Sequence, residues 1–243
     1  MDFSPRIIVL GNQKSGTTAI ASLLADYGGL SKTIDIPELW KMERDIHAGK
    51  LSIEAFIASN SHRFSSELVK EPCLTFLYDE LVKIFPDTRY VFVIRHPADN
   101  IRSILDRFNV PCNLDQAEID IPEHMVGWRN LFDGSLLKIH HKHYVARLAM
   151  RWVISTEIYL KNKDKIFLIR YEDFMQDKYG CMKRAAHALE VEKKHDIMPF
   201  LDRQYQSKGI SRGLPFIECF GEKNTGIIKE LCGPYLDRFD YRL

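Results

Sequence analysis

Ile7-Ile8-Val9-Leu10 is a β-branched apolar run with no polar alternation, the pattern of a strand buried on both faces. Further strands are predicted at Glu67–Lys70, Tyr90–Ile94 and Ile166–Arg170. Stretches of helical period lie between them. In the clearest, Val145, Leu148, Ala149, Trp152 and Val153 fall at i, i+3, i+4, i+7 and i+8. Ala19–Ala25 reads as a helix that ends near Gly28-Gly29. Strands alternating with helices predict an α/β fold, a central parallel sheet flanked by helices in three layers. No Pro-, Gly- or Ser-rich linker and no repeat divides the chain, so residues 1–243 are read as one domain. The least regular part, 109–143, holds Pro111, Pro122, Gly127 and Gly134 and reads as an inserted lid or acceptor segment.

Charge narrows the partners. Lys plus Arg number 34 against 33 Asp plus Glu, so the chain lacks the basic surplus that non-specific nucleic-acid binding needs. A local anion pocket remains compatible with that balance. The five cysteines, Cys73, Cys112, Cys181, Cys219 and Cys232, show no zinc or CxxC spacing and read as free thiols of a reducing compartment. No apolar run approaches the roughly 18–20 residues of a membrane span, and no leader segment is visible. The expectation is a cytoplasmic protein.

The turn after the first strand carries the chemistry. Gly11 and Gly16 have the G-x-x-x-x-G spacing of a phosphate loop between a strand and a helix N-terminus. A nucleotide-triphosphate loop then requires lysine, but residue 17 is Thr and the lysine is inside the turn, at Lys14. Lys14 can therefore reach the outer group carried by a 5′-phosphate, while Thr17 and Thr18 offer hydroxyls to that phosphate. A second anion site is predicted where the strand Tyr90–Ile94 ends in Arg95, with Pro97 opening a helix and Ser103 eight residues on. Ligands of open α/β sheets collect at that strand edge.

With Lys14-Ser15-Gly16-Thr17-Thr18 and Arg95-x7-Ser103 in this order, the chain resembles the sulfotransferases that use 3′-phosphoadenosine 5′-phosphosulfate (PAPS). Arg170-Tyr171-Glu172-Asp173-Phe174 is similar to the family's R-Y-E-D-L segment, and Cys232–Tyr241 to a terminus common in its bacterial members. The resemblance implies a P-loop-like fold and places the loop Gln13–Thr18 on the 5′-phosphosulfate. It puts Arg95 and Ser103 on the 3′-phosphate, Tyr171 near the adenine, and Arg212, in a trace of the family's R-K-G, on the nucleotide. Lys14 is implied at the bridging oxygen and Lys70 at the sulfuryl oxygens, with no metal required.

The departures point to bacterial or carbohydrate-type members. Ala19 stands where many soluble members have tryptophan, and Lys70-Glu71-Pro72-Cys73 replaces the K-T-x-H of the aryl and steroid group, removing its histidine base. Glu38, Glu71 and His96 remain as candidate bases, with Glu38 in the region where carbohydrate-type members place a glutamate. Trp128 and Trp152 read as packing residues that could also line an acceptor pocket, and His140-His141-Lys142-His143 as a basic patch. The implied reaction is sulfuryl transfer to a hydroxyl or amine of a carbohydrate or small metabolite. A P-loop kinase acting on a small metabolite and a non-catalytic module binding adenosine 3′,5′-bisphosphate are the alternatives.

Overall fold

The computed structural model describes residues 4–117, 119–205 and 213–242. Its strands are β1 (Ile7–Gly11), β2 (Lys32–Ile34), β3 (Leu68–Lys70), β4 (Arg89–Ile94) and β5 (Ile166–Arg170). They form one parallel sheet in the order β2-β3-β1-β4-β5. Sheets of this kind are covered on both faces, which is why β1 is buried throughout and shows no polar alternation. β2 was not foreseen. It is three residues long, lies at the sheet edge and is exposed or half-buried, so no apolar run announces it.

The helices are α1 (Thr17–Gly28), α2 (Pro37–His47), α3 (Ile53–Ser59), α4 (Ser61–Phe64), α5 (Tyr78–Ile84), α6 (Pro97–Asp106), α7 (Val126–Asp133), α8 (Tyr144–Lys161), α9 (Tyr171–Gln176), α10 (Lys178–Ala188) and α11 (Phe216–Leu236). Side chains alternate across a strand, so β1 feeds two cores. Ile7 and Val9 pack with Ile20 and Leu24 of α1 and Met182 and Ala185 of α10. Ile8 and Leu10 join Leu148 and Trp152 of α8 and Ile228 and Cys232 of α11 on the opposite face. Helices on both faces make the three layers, and each buried Leu, Ile or Phe stabilises them by about 1.5–3 kcal/mol.

Helix ends follow their local signals. α1 stops at Gly29, whose N–H bonds back to Ala25 and Asp26, and Pro97 opens α6 as its sequence position predicts. α11 breaks at Gly221 (φ 68°, ψ 172°). Within 109–143, α7 packs on α2: Asn130 Nδ2 donates to Trp40 O (2.9 Å) and to Glu43 Oε2 (3.1 Å). Nearby, Tyr144 Oη donates to Pro111 O (2.9 Å), and Asn224 Nδ2 donates to Cys112 O (2.6 Å). Among the described residues no helix is long and apolar enough to cross a membrane.

Candidate active site

Register brings the motif residues together. Gly11 pairs with Val93, Ile94 with Arg170, and both Val9 and Ile34 with Lys70. The residues just past the strand ends therefore line one edge: Asp35 after β2, Glu71 after β3, the loop after β1, Arg95 after β4 and Tyr171 after β5. The strand order turns back on itself at β1, and a crevice opens at such a point.

The loop is held from beneath. Thr75 Oγ1 accepts from Gly11 N (2.9 Å), and the fully buried Asn100 of α6 donates to Gln13 O (2.7 Å) and Ser15 Oγ (3.1 Å). Asn100 Oδ1 also accepts from Asn12 Nδ2 (3.2 Å). Arg151, buried in α8, donates to Gln13 Oε1 (3.1 Å) and Asn12 Oδ1 (3.3 Å), and its guanidinium lies 4.3 Å over the Phe76 ring. Gln13 and Ser15 thus turn polar atoms inward as braces. Gly16 caps α1 with φ 89° and no side-chain acceptor, leaving the first-turn N–H groups and the positive helix end to a ligand. A Cβ at Gly16 would lie 2.4 Å from the Tyr171 ring, so close approach and positive φ both demand glycine.

Tyr171 covers Gly16 and lies under Arg95, whose guanidinium carbon is 4.8 Å from the ring centroid. Arg95 Nη1 donates to Lys14 O (2.9 Å), and Trp152 Nε1 donates to Arg95 O (2.9 Å). Lys14, Gly16, Thr17, Thr18, Arg95, Ser103 and Tyr171 border one cavity of about 400 Å³. Arg212 lies outside the described residues. Burial, then the charges of Arg107 and Arg95, push the Lys14 amine below the ordinary lysine value, against the pull of Asp106.

A second cavity of about 350 Å³ adjoins the first, and Lys14, Thr17 and Tyr205 border both. Its walls include Asp35, Lys70, Glu71, Trp40, Trp128 and Arg107. Lys70 is buried and ion-paired with Asp35, which has φ 65° and donates its N–H to Lys70 O (2.9 Å). Glu71 is also buried. Its Oε2 accepts from Ile36 N (2.8 Å) and Trp40 Nε1 (3.0 Å), and its Oε1 from Cys73 N (3.0 Å). Burial pushes the Glu71 carboxyl above the usual carboxylate value, opposed by Lys70 and by the N–H groups of Cys73 and Ile36.

The three candidate bases occupy different surroundings. Glu71 borders the second cavity. Glu38 sits in the first turn of α2 in a bidentate pair with Arg63 (2.7 and 3.1 Å), which holds its carboxyl below the usual value, and it borders neither cavity. The His96 ring stacks on Phe216 (4.8 Å), with Nε2 2.9 Å from Arg242 O, and burial lowers its pKa. Lys14 and Lys70 border the same cavity; Glu38 and His96 are elsewhere. His143 caps α8 through Nδ1, which accepts from Val145 N (3.3 Å). Among the described residues no cluster of His, Cys, Asp or Glu could hold a metal ion.

Sequence reasoning missed Asn100, Arg151, Asp35 and Arg107. The first two act from beneath the loop. Asp35 follows the edge strand that no pattern announced, and Arg107 ends a helix chosen for its other end.

Among curated proteins none matches the chain. Solved structures do. It is similar to the sulfotransferase STF9 from Mycobacterium avium (TM-score 0.59, 14% identity, 99% of this chain and 78% of that one). It is similar also to a sulfotransferase from Alicyclobacillus acidocaldarius (TM-score 0.57, 12% identity, 98% and 97%). The mouse sulfotransferase SULT7A1 complexed with PAP gives TM-score 0.57 at 17% identity, over 98% and 88%. At such identities the likeness shows the fold, a P-loop-like α/β sheet. Residues 41–196, well over half the chain, match the sulfotransferase family. With the fold and the match agreeing, this chain belongs to the sulfotransferase family.

Proposed function

We propose that the protein transfers a sulfuryl group from PAPS, held in the first cavity, to a hydroxyl or amine of a small acceptor in the second. One observation carries the reading: the two cavities meet at Lys14 and Thr17, beside the open N-terminus of α1. The first cavity suits a mononucleotide with two phosphates, since the N-terminus of α1, Lys14, Arg95 and Ser103 all border it. PAPS supplies an activated sulfuryl group whose departure leaves adenosine 3′,5′-bisphosphate.

The chain's own residues then have separable tasks. Lys14 and the α1 N–H groups stabilise the charge that grows on the bridging oxygen as its bond to sulfur breaks. Thr17 and Thr18 orient the 5′-phosphate, and Tyr171 and Arg95 wall the nucleotide. Lys70, which borders the second cavity at the end of β3, binds the sulfuryl oxygens. For the acceptor proton we assign Asp35. It borders the second cavity and has a carboxylate oxygen on Lys70, whereas Glu38 is held by Arg63 and Glu71 by three N–H donors.

Calorimetry tests the nucleotide half. Arg95→Ala should weaken adenosine 3′,5′-bisphosphate about ten- to a hundredfold, the loss of a charge-assisted contact. It should weaken adenosine 5′-phosphate much less. Equal losses would put the 3′-phosphate elsewhere, and preference for ATP with Mg²⁺ would restore the kinase alternative.

A further inference from the structure

The charges around the second cavity are unequally committed. Lys70 is tied to Asp35, and Glu71 has both oxygens occupied by N–H donors. Arg107, at the C-terminal end of α6, borders the same cavity with its guanidinium exposed. Its backbone N–H closes the helix on Ile104 O (3.2 Å), but among the described residues its guanidinium makes no hydrogen bond or ion pair. An open guanidinium fork beside a cavity suits a planar anion such as a carboxylate. Lys14, Lys70 and Arg107 outnumber the carboxyl groups of Asp35 and Glu71 on this lining, so the cavity disfavours a cationic amine.

The aromatic part of the lining is stiff. Trp40 spends its Nε1–H on Glu71, so its indole offers apolar surface alone. A Cβ at Gly127 would lie 2.9 Å from Trp40 Cγ, so α7 approaches that ring as closely as glycine permits. Trp128, the next residue, is held edge-to-face against Phe108 (5.2 Å). Two indoles fixed in this way form a wall for the flat or apolar face of a ring.

We propose that the acceptor is a hydroxylated ring compound bearing an anionic group, with its ring on Trp128 and Trp40 and its anion on Arg107. This rests on the sulfotransfer reading above and narrows it from hydroxyl or amine to hydroxyl. An aryl carboxylate and a uronic-acid sugar share this chemistry.

The test is calorimetry on the protein saturated with adenosine 3′,5′-bisphosphate, using two pairs matched in shape and differing in charge. One pair is 4-hydroxyphenylacetate with 4-hydroxyphenylacetamide; the other is methyl glucuronide with methyl glucoside. In at least one pair the anion should bind about tenfold more tightly or better, and that pair identifies the ring. Arg107→Gln should bring the ratio to within about twofold, and Arg107→Lys should recover part of it. Trp128→Ala should weaken both members of the pair together. Equal binding within both pairs, no binding by any of the four, or an anion preference that survives Arg107→Gln overturns the proposal. Failure of adenosine 3′,5′-bisphosphate to bind in the first titration removes the sulfotransfer reading itself, a separate and earlier outcome.

Discussion

Asp35 and Glu38 are three residues apart, but the chain turns between them and gives them different electrostatic partners. Asp35 has Lys70 and a cavity wall; Glu38 has Arg63 and solvent. General-base catalysis is worth about 10²–10⁴-fold, so Asp35→Asn should lower kcat by that range while adenosine 3′,5′-bisphosphate affinity holds. Glu38→Gln should turn over near the wild-type rate. The reverse pattern, measured with the same acceptor, would move the proton to α2. Asp35→Asn also leaves Lys70 without its counter-charge, so the comparison needs a matching Tm to show that the fold survives. At this scale the sequence was informative only where chemistry is local. Lys14, Thr17 and Arg95 announce themselves because a short loop or a strand end dictates what they can touch. Asp35 and Arg107 carry no such signal, since their partners come from other segments.

Element α6 shows how one helix can serve several tasks. Arg95 precedes it, Asn100 braces the loop from its first turns, and Ser103 borders the first cavity. Pro97 was legible as a helix start, and the apolar run of β4 as a strand, so the element's position was predictable. Asn100 was not, because a buried asparagine and a solvated one look alike in sequence. Asn100→Ala strips partners from Gln13 O, Ser15 Oγ and Asn12 Nδ2 in a buried setting, at a cost of about 1–3 kcal/mol. For a chain of this size that lowers Tm by roughly 2–4 °C per kcal/mol. Adenosine 3′,5′-bisphosphate affinity should fall with it, since the loop loses its shape. A Tm and affinity equal to the wild type's would mean that Arg151 and Thr75 suffice. The edge strand β2 marks the other limit: three half-exposed residues leave no periodicity to read, although β2 delivers Asp35 to the site.

Across the whole molecule, the site is assembled at a cost in stability, and Lys14 carries part of it. Its amine is partly desolvated and stands near two arginines, and its backbone has φ 65°, where asparagine is better tolerated than lysine. Both features favour removing the side chain from the folded state, while in the proposed reaction the charge on the bridging oxygen requires it. Lys14→Asn should therefore abolish sulfuryl transfer and leave Tm at or above the wild-type value at pH 7. The pH dependence has a definite sign. Because the folded-state pKa is lowered, the unfolded chain binds more protons between that pKa and 10.5, so wild-type stability rises with pH across this window. The charge-linked part of the Lys14→Asn advantage should shrink over the same window and vanish above it, as the wild-type lysine becomes neutral in both states, leaving the pH-independent backbone part. Activity should move the other way, with kcat/KM, which reports the free enzyme, falling on the alkaline side before the ordinary lysine value is reached. Thermal melts and initial rates over the same pH series test both. A Tm several degrees below wild type at pH 7, or a gap that widens with pH, would show that Lys14 stabilises the loop and that its charge sits there without strain.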